Sequence, residues 1–189
     1  QRMYCYYLAK KLLKSESPRQ VSICHSKTGK PFFSNLCMNL SISHKNNAIM
    51  VAVSPRNIEV GVDIENLGVR KNTSLFLHYA LDEDERKLLH IFSKHRQLPV
   101  SDCVTIFWAI KESFFKCIDK PLTPLQLKIL DISNNNHVKI FYSKYSKIPI
   151  KMKILKTPQI IIDYTTKYCY SITTMTMIWD FYSLSIWLL

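Results

Sequence analysis

The sequence predicts an α+β fold in two lobes, and three observations carry that expectation. Helix-like and strand-like patterns follow in the order helix, strands, helix, helix, strands, a segregated rather than strictly alternating arrangement. Hydrophobic residues make up 47% of the 189 and charged residues 21%, a globular balance that excludes disorder, collagen-like repeats and coiled coil. No low-complexity linker or clear internal repeat interrupts the chain. Residues 1–66 are assigned to an N-terminal lobe and residues 67–189 to a C-terminal lobe, together one domain.

Each element has a local reason. Over residues 2–14, Tyr4, Leu8, Leu12 and Leu13 recur near helical spacing with basic residues between them, which predicts an amphipathic helix ending before Ser15-Glu16-Ser17-Pro18. A short strand follows at 21–24. Thr28-Gly29-Lys30-Pro31 is a turn, because glycine permits positive φ and proline fixes the residue after Lys30. Strand signals resume at 40–43, at 48–53 and, after a Ser54-Pro55-Arg56-Asn57 turn, at 58–64. A second helix is expected over 81–92, with Asp82 to Glu85 at the positive end of its dipole and Leu88, Leu89 and Phe92 as its apolar side. A third covers 104–118: Phe107, Ile110, Phe114 and Ile118 form a packing stripe, and Trp108, Glu112 and Lys116 follow at i+4 on another. Alternation at 150–154, the run 160–162 and residues 168–177 predict antiparallel strands. The apolar stretch 178–189 is too short to span a membrane and reads as a buried terminal strand.

Lysine and arginine outnumber acids 26 to 14, and the net charge of +12 attracts polyanions, phosphorylated ligands or acidic proteins. The excess is spread along the chain with no separate basic tail. The densest stretch, 139–156, interleaves Lys139, Lys144, Lys147, Lys151, Lys153 and Lys156 with Phe141, Tyr142 and Tyr145; it reads either as a basic nucleic-acid-binding module or, more simply, as lysines on a solvated strand face. The six cysteines include no CxxC pair, which fits reduced thiols in a cytoplasmic protein. Gln1-Arg2-Met3 is neither an initiator methionine nor a signal sequence, so the natural N-terminus is expected to lie elsewhere.

The sharpest chemical signal is Gly61-Val62-Asp63-Ile64-Glu65. On a strand, Asp63 and Glu65 project from one face, and two carboxylates so placed either form an exposed edge pair or converge on a hard cation such as Mg²⁺. Glu112 offers a third carboxylate and Lys116, one turn on, a phosphate contact; the plain alternative is an i,i+4 ion pair. Lys30 beside its turn, the Ser43-His44 pair and Glu85 are weak signals singly. Gly-Lys-Pro is mostly a turn, a strand-end histidine mostly structural or solvated, and Glu85 a helix-dipole partner.

In this order, Gly29-Lys30-Pro31, Ile42-Ser43-His44, Gly61 to Glu65, Leu81 to Glu85 and Trp108-Ala109-Ile110-Lys111-Glu112-Ser113-Phe114-Phe115-Lys116 resemble the motifs of the 4′-phosphopantetheinyl transferase superfamily, specifically its long, monomeric surfactin-synthetase type. The likeness spans roughly residues 2–125. It implies two similar lobes, each a small, mostly antiparallel sheet packed on helix, with the active site in the cleft between them. It implies transfer of 4′-phosphopantetheine from coenzyme A to a serine of an acidic acyl or peptidyl carrier protein, a holo-acyl-carrier-protein synthase activity that releases 3′,5′-ADP. It assigns Asp63, Glu65 and Glu112 to Mg²⁺, Lys30, Ser43, His44 and Lys116 to coenzyme A, and catalysis to Glu112, Lys116 and Glu85, the last as base toward the carrier serine directly or through water. No nucleic acid or membrane partner is implied.

The chain departs from the family pattern in places. Leu40-Ser41 stands where Phe-Asn is usual, and Cys117-Ile118-Asp119-Lys120-Pro121-Leu122 replaces a glycine-rich turn. The several dozen residues that precede the first helix in the long type are also missing, as a fragment or as a real loss. A degenerate binder of coenzyme A or carrier is the alternative these departures raise.

Overall fold

The computed structural model describes residues 2–13, 21–46, 48–68, 73–118, 123–132, 138–142, 159–163, 168–176 and 185–188, with side chains described only as far as Ile132. Helices combine with small antiparallel sheets, so the chain has α+β character.

Helix α1 (Arg2–Leu12) buries Cys5, Leu8 and Ala9, which share a face at helical spacing. Strands β1 (Ile23–His25) and β2 (Pro31–Phe33) form a hairpin whose turn places Gly29 at φ +90, a conformation that glycine adopts without Cβ strain. Strands β3 (Met38–Lys45) and β4 (Ala48–Pro55) pair antiparallel, and β10 (Ser185–Leu188) adds to the other edge of β4. One face of the β3–β4 hairpin carries Leu40, Val51 and Val53 into a core with Leu8, Ala9, Val21 and Phe33.

Strand β5 (Ile58–Asn66) pairs along all 9 of its residues with β9 (Tyr168–Thr176), which in turn pairs with β8 (Gln159–Asp163). Strands from before residue 66 and from the end of the chain thus share a sheet. Met50 and Ala52, the cross-strand partners of Ser43 and Ser41, pack with Val60 and Val62, so β5 lies over the hairpin face turned away from α1.

Helices α2 (Thr73–Ala80), α3 (Glu83–Arg96) and α4 (Val100–Ile118) build the second core. Phe107, Ile110 and Phe114 are buried against Leu81, Leu89, Phe92, Leu127 and Ile129, so the expected packing stripe packs. Trp108, Glu112 and Lys116 on the other stripe are half-buried, with Trp108 edge-on to Phe76. A capping box starts α3: Asp82 Oδ1 accepts from the Glu85 N–H at 2.9 Å, and Glu85 Oε2 from the Asp82 N–H at 3.0 Å. A 3₁₀ turn (Pro124–Gln126) leads into β6 (Leu127–Ile132), which pairs with β7 (Val138–Tyr142).

The structure corrects some boundaries. α2 is not anticipated, because its eight residues are rich in aromatic and apolar types with no polar face to mark a period. The second expected helix starts at Glu83 and runs to Arg96, ending where Gln97 turns left-handed at φ 53, and the third starts at Val100, directly after Pro99. The expected strand at 150–154 and the basic stretch 143–156 lie outside the described residues, as does the side-chain burial of the terminal strand. Among the described residues, Cys5, Cys24, Cys37, Cys103 and Cys117 are free thiols, and no helix is long and apolar enough to cross a membrane.

Candidate active site

The site begins as a row of polar side chains. In β3, alternate residues share a face, and Asn39, Ser41, Ser43 and Lys45 all turn toward β5. Asn39 Nδ2 donates to the Ile58 carbonyl at 2.8 Å, Ser41 Oγ accepts from the Val62 N–H at 3.0 Å, Ser43 Oγ accepts from the Ile64 N–H at 3.3 Å, and Lys45 pairs with Glu65 at 2.7 Å. The serine hydroxyls satisfy β5 backbone donors that β9, on the opposite edge, leaves free. This gives Ser41 a definite partner.

Gly61 sets the distance to the next layer. A Cβ built there would overlap the Ser113 carbonyl and lie 2.5 Å from Cys117 N and 2.9 Å from Cys117 Cα, all backbone atoms of α4. Only glycine lets the helix sit this close to the strand. The side chain two residues on, Asp63, then meets the last turns of α4.

There Lys116 Nζ donates to Asp63 Oδ1 at 2.6 Å and to Ser43 Oγ at 3.0 Å, and Ser43 Oγ donates to Asp63 Oδ1 at 2.9 Å. Three elements, β3, β5 and α4, each supply one member of this group. Asp63 is 5% exposed and Lys116 31%, so the ammonium sits at the border between protein and water. Burial pushes the Asp63 carboxyl above its ordinary value, against the opposing pull of Lys116. Asp63 Oδ2 is buried with no hydrogen-bond partner.

That orphaned oxygen is the observation that bears on a cation. A buried carboxylate oxygen without a donor costs free energy unless something positive meets it. Glu65 projects from the same face of β5. No three carboxylate, histidine or cysteine groups form a ready-made cation cluster among the described residues. Mg²⁺ does not require one, since it is usually held by one or two carboxylates together with substrate phosphate and water. The donor set therefore fits Mg²⁺.

The other expected residues are placed as follows. Glu112 lies one turn before Lys116 on the half-exposed stripe of α4. His44, next after Ser43 on the strand, is exposed, and strand alternation turns it from the Ser43 side to the opposite face. Lys30 Nζ donates to the Cys117 carbonyl at 2.8 Å and to Glu59 at 3.2 Å, so it ties the first hairpin to the negative end of α4. Glu85 shares no hydrogen bond or ion pair with Asp63, Ser43 or Lys116. It is 1% exposed and bonded to Lys111, itself 0% exposed.

Lys111 lies within the Trp108 to Lys116 motif, and the sequence alone assigns it no role. Its ammonium donates to Glu85 Oε2 at 2.9 Å and to the carbonyls of Ala80, Pro124 and Leu127 at 2.7, 2.9 and 2.7 Å, while Glu85 Oε1 accepts from the Ile129 N–H at 2.8 Å. This network stitches α2, α3, α4, the 3₁₀ turn and β6 together. Burial holds the Lys111 pKa below its ordinary value even with Glu85 beside it. A signal was available: Lys111 follows Phe107 by four residues and precedes Phe114 by three, on the packing stripe itself. Lys45 was also missed, although its i+2 spacing from Ser43 puts it on the same strand face.

A known family matches much of the chain. The profile of the 4′-phosphopantetheinyl transferase superfamily matches residues 59–171, from β5 through α4 into β9. The chain belongs to that superfamily. Membership makes it a transferase of the kind that passes phosphopantetheine to carrier proteins, with a carrier protein and coenzyme A as the implied partners. The match includes Asp63, Glu65, Glu85, Glu112 and Lys116; Lys30, Ser43 and His44 precede it. Comparison with curated proteins finds no match.

Proposed function

We propose that this protein is a Mg²⁺-dependent, monomeric 4′-phosphopantetheinyl transferase of the surfactin-synthetase type, moving 4′-phosphopantetheine from coenzyme A to a serine of an acidic acyl or peptidyl carrier protein in the cytoplasm. The observation that carries the reading is the Ser43, Asp63 and Lys116 group with its unpartnered Asp63 oxygen. It lies within a chain whose β5 to β9 region matches the superfamily.

In the reaction, the carrier serine Oγ forms a bond to the β-phosphorus of coenzyme A, the bond from that phosphorus to the bridging oxygen breaks, and 3′,5′-ADP departs. Little covalent chemistry falls to the protein; catalysis is positioning and charge neutralisation. Asp63, Glu65 and Glu112 are the residues that would hold Mg²⁺ with the pyrophosphate, and the bound cation would supply neutralisation of the charge that develops there. Lys116, half-exposed at the end of α4, donates hydrogen bonds to the departing phosphate. Ser43 and Lys30 contact the nucleotide phosphates, Lys30 by leaving Glu59, and His44, exposed on the opposite face of β3, is kept as a coenzyme A contact away from the Asp63 group. The serine proton passes to water or to a site carboxylate. Glu85 is assigned to holding Lys111, since a carboxylate bonded inside the core does not meet an incoming hydroxyl directly.

The reading divides the chain into lobes of residues 1–66 and 67–189, with substrate reaching the group at the Lys116 end of α4, where that lysine borders water. The net charge of +12 suits docking of an acidic carrier, whose approach such a field accelerates. The test is release of 3′,5′-ADP from coenzyme A in the presence of apo-carrier proteins. Release that needs both carrier and Mg²⁺ supports the proposal; coenzyme A binding without release from any carrier identifies a degenerate binder instead.

A further inference from the structure

Two lysines stand at Asp63 and Glu65, two of the three carboxylates of β5. Lys116 Nζ lies 2.6 Å from Asp63 Oδ1 and Lys45 Nζ 2.7 Å from Glu65 Oε2. They come from different elements, the end of α4 and the end of β3, so the pairing is not a by-product of one helix or one hairpin. Asp63 and Glu65 project from one strand face, where two negative charges repel unless something positive is placed on them. The two ammonium groups together carry the charge of one divalent cation.

Both lysines can leave. Lys116 is 31% exposed and Lys45 42%, and both are long side chains that keep their charge in water when released. Asp63 and Glu65 are far more enclosed, at 5% and 14%. The acids are enclosed and the bases reach water.

From this we infer that Lys116 and Lys45 are internal counter-ions that hold the carboxylate pair in place until a divalent cation arrives with substrate, and that they compete with that cation for Asp63 and Glu65. The inference rests on the proposed function of the site and adds Lys45, at the end of β3, to its working residues. It makes cation binding weak in the protein alone. Coenzyme A strengthens it, because the pyrophosphate gives the displaced ammonium groups a new anion to pair with. Free metal is thereby kept from occupying the site without substrate.

The test is titration of Mn²⁺, as a spectroscopic substitute for Mg²⁺, into the whole chain followed by electron paramagnetic resonance, first with no coenzyme A present and then with it. Wild type, Lys116→Met, Lys45→Met and Asp63→Asn are compared, with circular dichroism as the check on folding. Methionine keeps much of the side-chain volume and removes the charge; glutamine variants at both positions repeat the test if either methionine protein misfolds. The expected result is tighter Mn²⁺ binding, by about tenfold for Lys116→Met and about twofold to fivefold for the more exposed Lys45→Met, with loss of binding in Asp63→Asn. Unchanged or weaker binding in both lysine variants, with Asp63→Asn still losing it, overturns the inference and leaves the metal reading standing. No Mn²⁺ binding in any of the proteins, with or without coenzyme A, overturns both.

Discussion

Lys116 reaches across from the end of α4 to Asp63 in the middle of β5, Nζ to Oδ1 at 2.6 Å, and Ser43 closes the group from β3. Residues 53 positions apart in sequence meet because Gly61 removes the side chain that would keep helix and strand apart. The site and the packing of the chain are therefore one problem, and substitutions separate them.

Asp63→Asn should abolish phosphopantetheine transfer and leave the protein at least as stable as wild type. Burial raises the Asp63 carboxyl pKa above 3.8, so between that value and the raised one the folded protein binds more protons than the unfolded chain. Stability from this residue accordingly falls as pH rises through that window, and the charged carboxylate is a net cost at neutral pH. Urea titrations of the two proteins across that window should show the advantage of the variant growing with pH; a variant less stable than wild type at neutral pH would contradict the assignment.

Gly61→Ala should destabilise the fold by about 1–3 kcal/mol or more, because the new methyl meets α4 backbone rather than a side chain that can move aside. Activity should drop with it, since Lys116 and Asp63 are set apart. Thermal melts with parallel transfer assays check this, and unchanged values for both would show that the helix shifts freely.

Glu85→Gln should cost about 3–5 kcal/mol, the usual penalty for stranding one member of a buried ion pair, with Lys111 left charged in the core. Glu85→Leu together with Lys111→Met should recover only part of that loss, because the carbonyls of Ala80, Pro124 and Leu127 and the N–H groups of Asp82 and Ile129 lose their partners. If Glu85 were only a proton acceptor, Glu85→Gln would leave denaturant stability intact and lower turnover alone.

Lys30→Ala should cost about 0.3–1 kcal/mol, the worth of a cation at a helix C-terminus, because its ammonium caps the Cys117 carbonyl. It should also raise the KM for coenzyme A more than it lowers kcat. Loss of stability with no change in KM would leave Lys30 a purely structural tie.

Much of this was legible from local pattern. The strands at 48–53 and 58–64 follow from apolar runs bounded by Ser54-Pro55-Arg56-Asn57, and the two stripes of α4 follow from spacing alone, with Phe107, Ile110 and Phe114 inward and Trp108, Glu112 and Lys116 outward. Asp63 and Glu65 stood out because period two puts them on one face. What stayed hidden depends on distant partners. Glu85 in an acidic first turn looks like a dipole group until Lys111, 26 positions on, is seen to bury it. Gly61 looks like a strand interruption until α4 is laid across it, and Lys45 gains meaning only when β5 lies over β3. The close approach at Gly61 leaves no trace in local periodicity, and the i+2 spacing of Lys45 from Ser43 gives its face but not its partner.

The most direct test of the account is the intact mass of an apo-carrier protein after incubation with coenzyme A, Mg²⁺ and either wild type or Asp63→Asn. The account predicts a gain of about 340 Da, one phosphopantetheine group, with wild type, and no gain with the variant or after chelation of the metal. A gain of the same size and rate with Asp63→Asn would contradict it, because the carboxylate at the junction of β3, β5 and α4 would then have no part in the transfer.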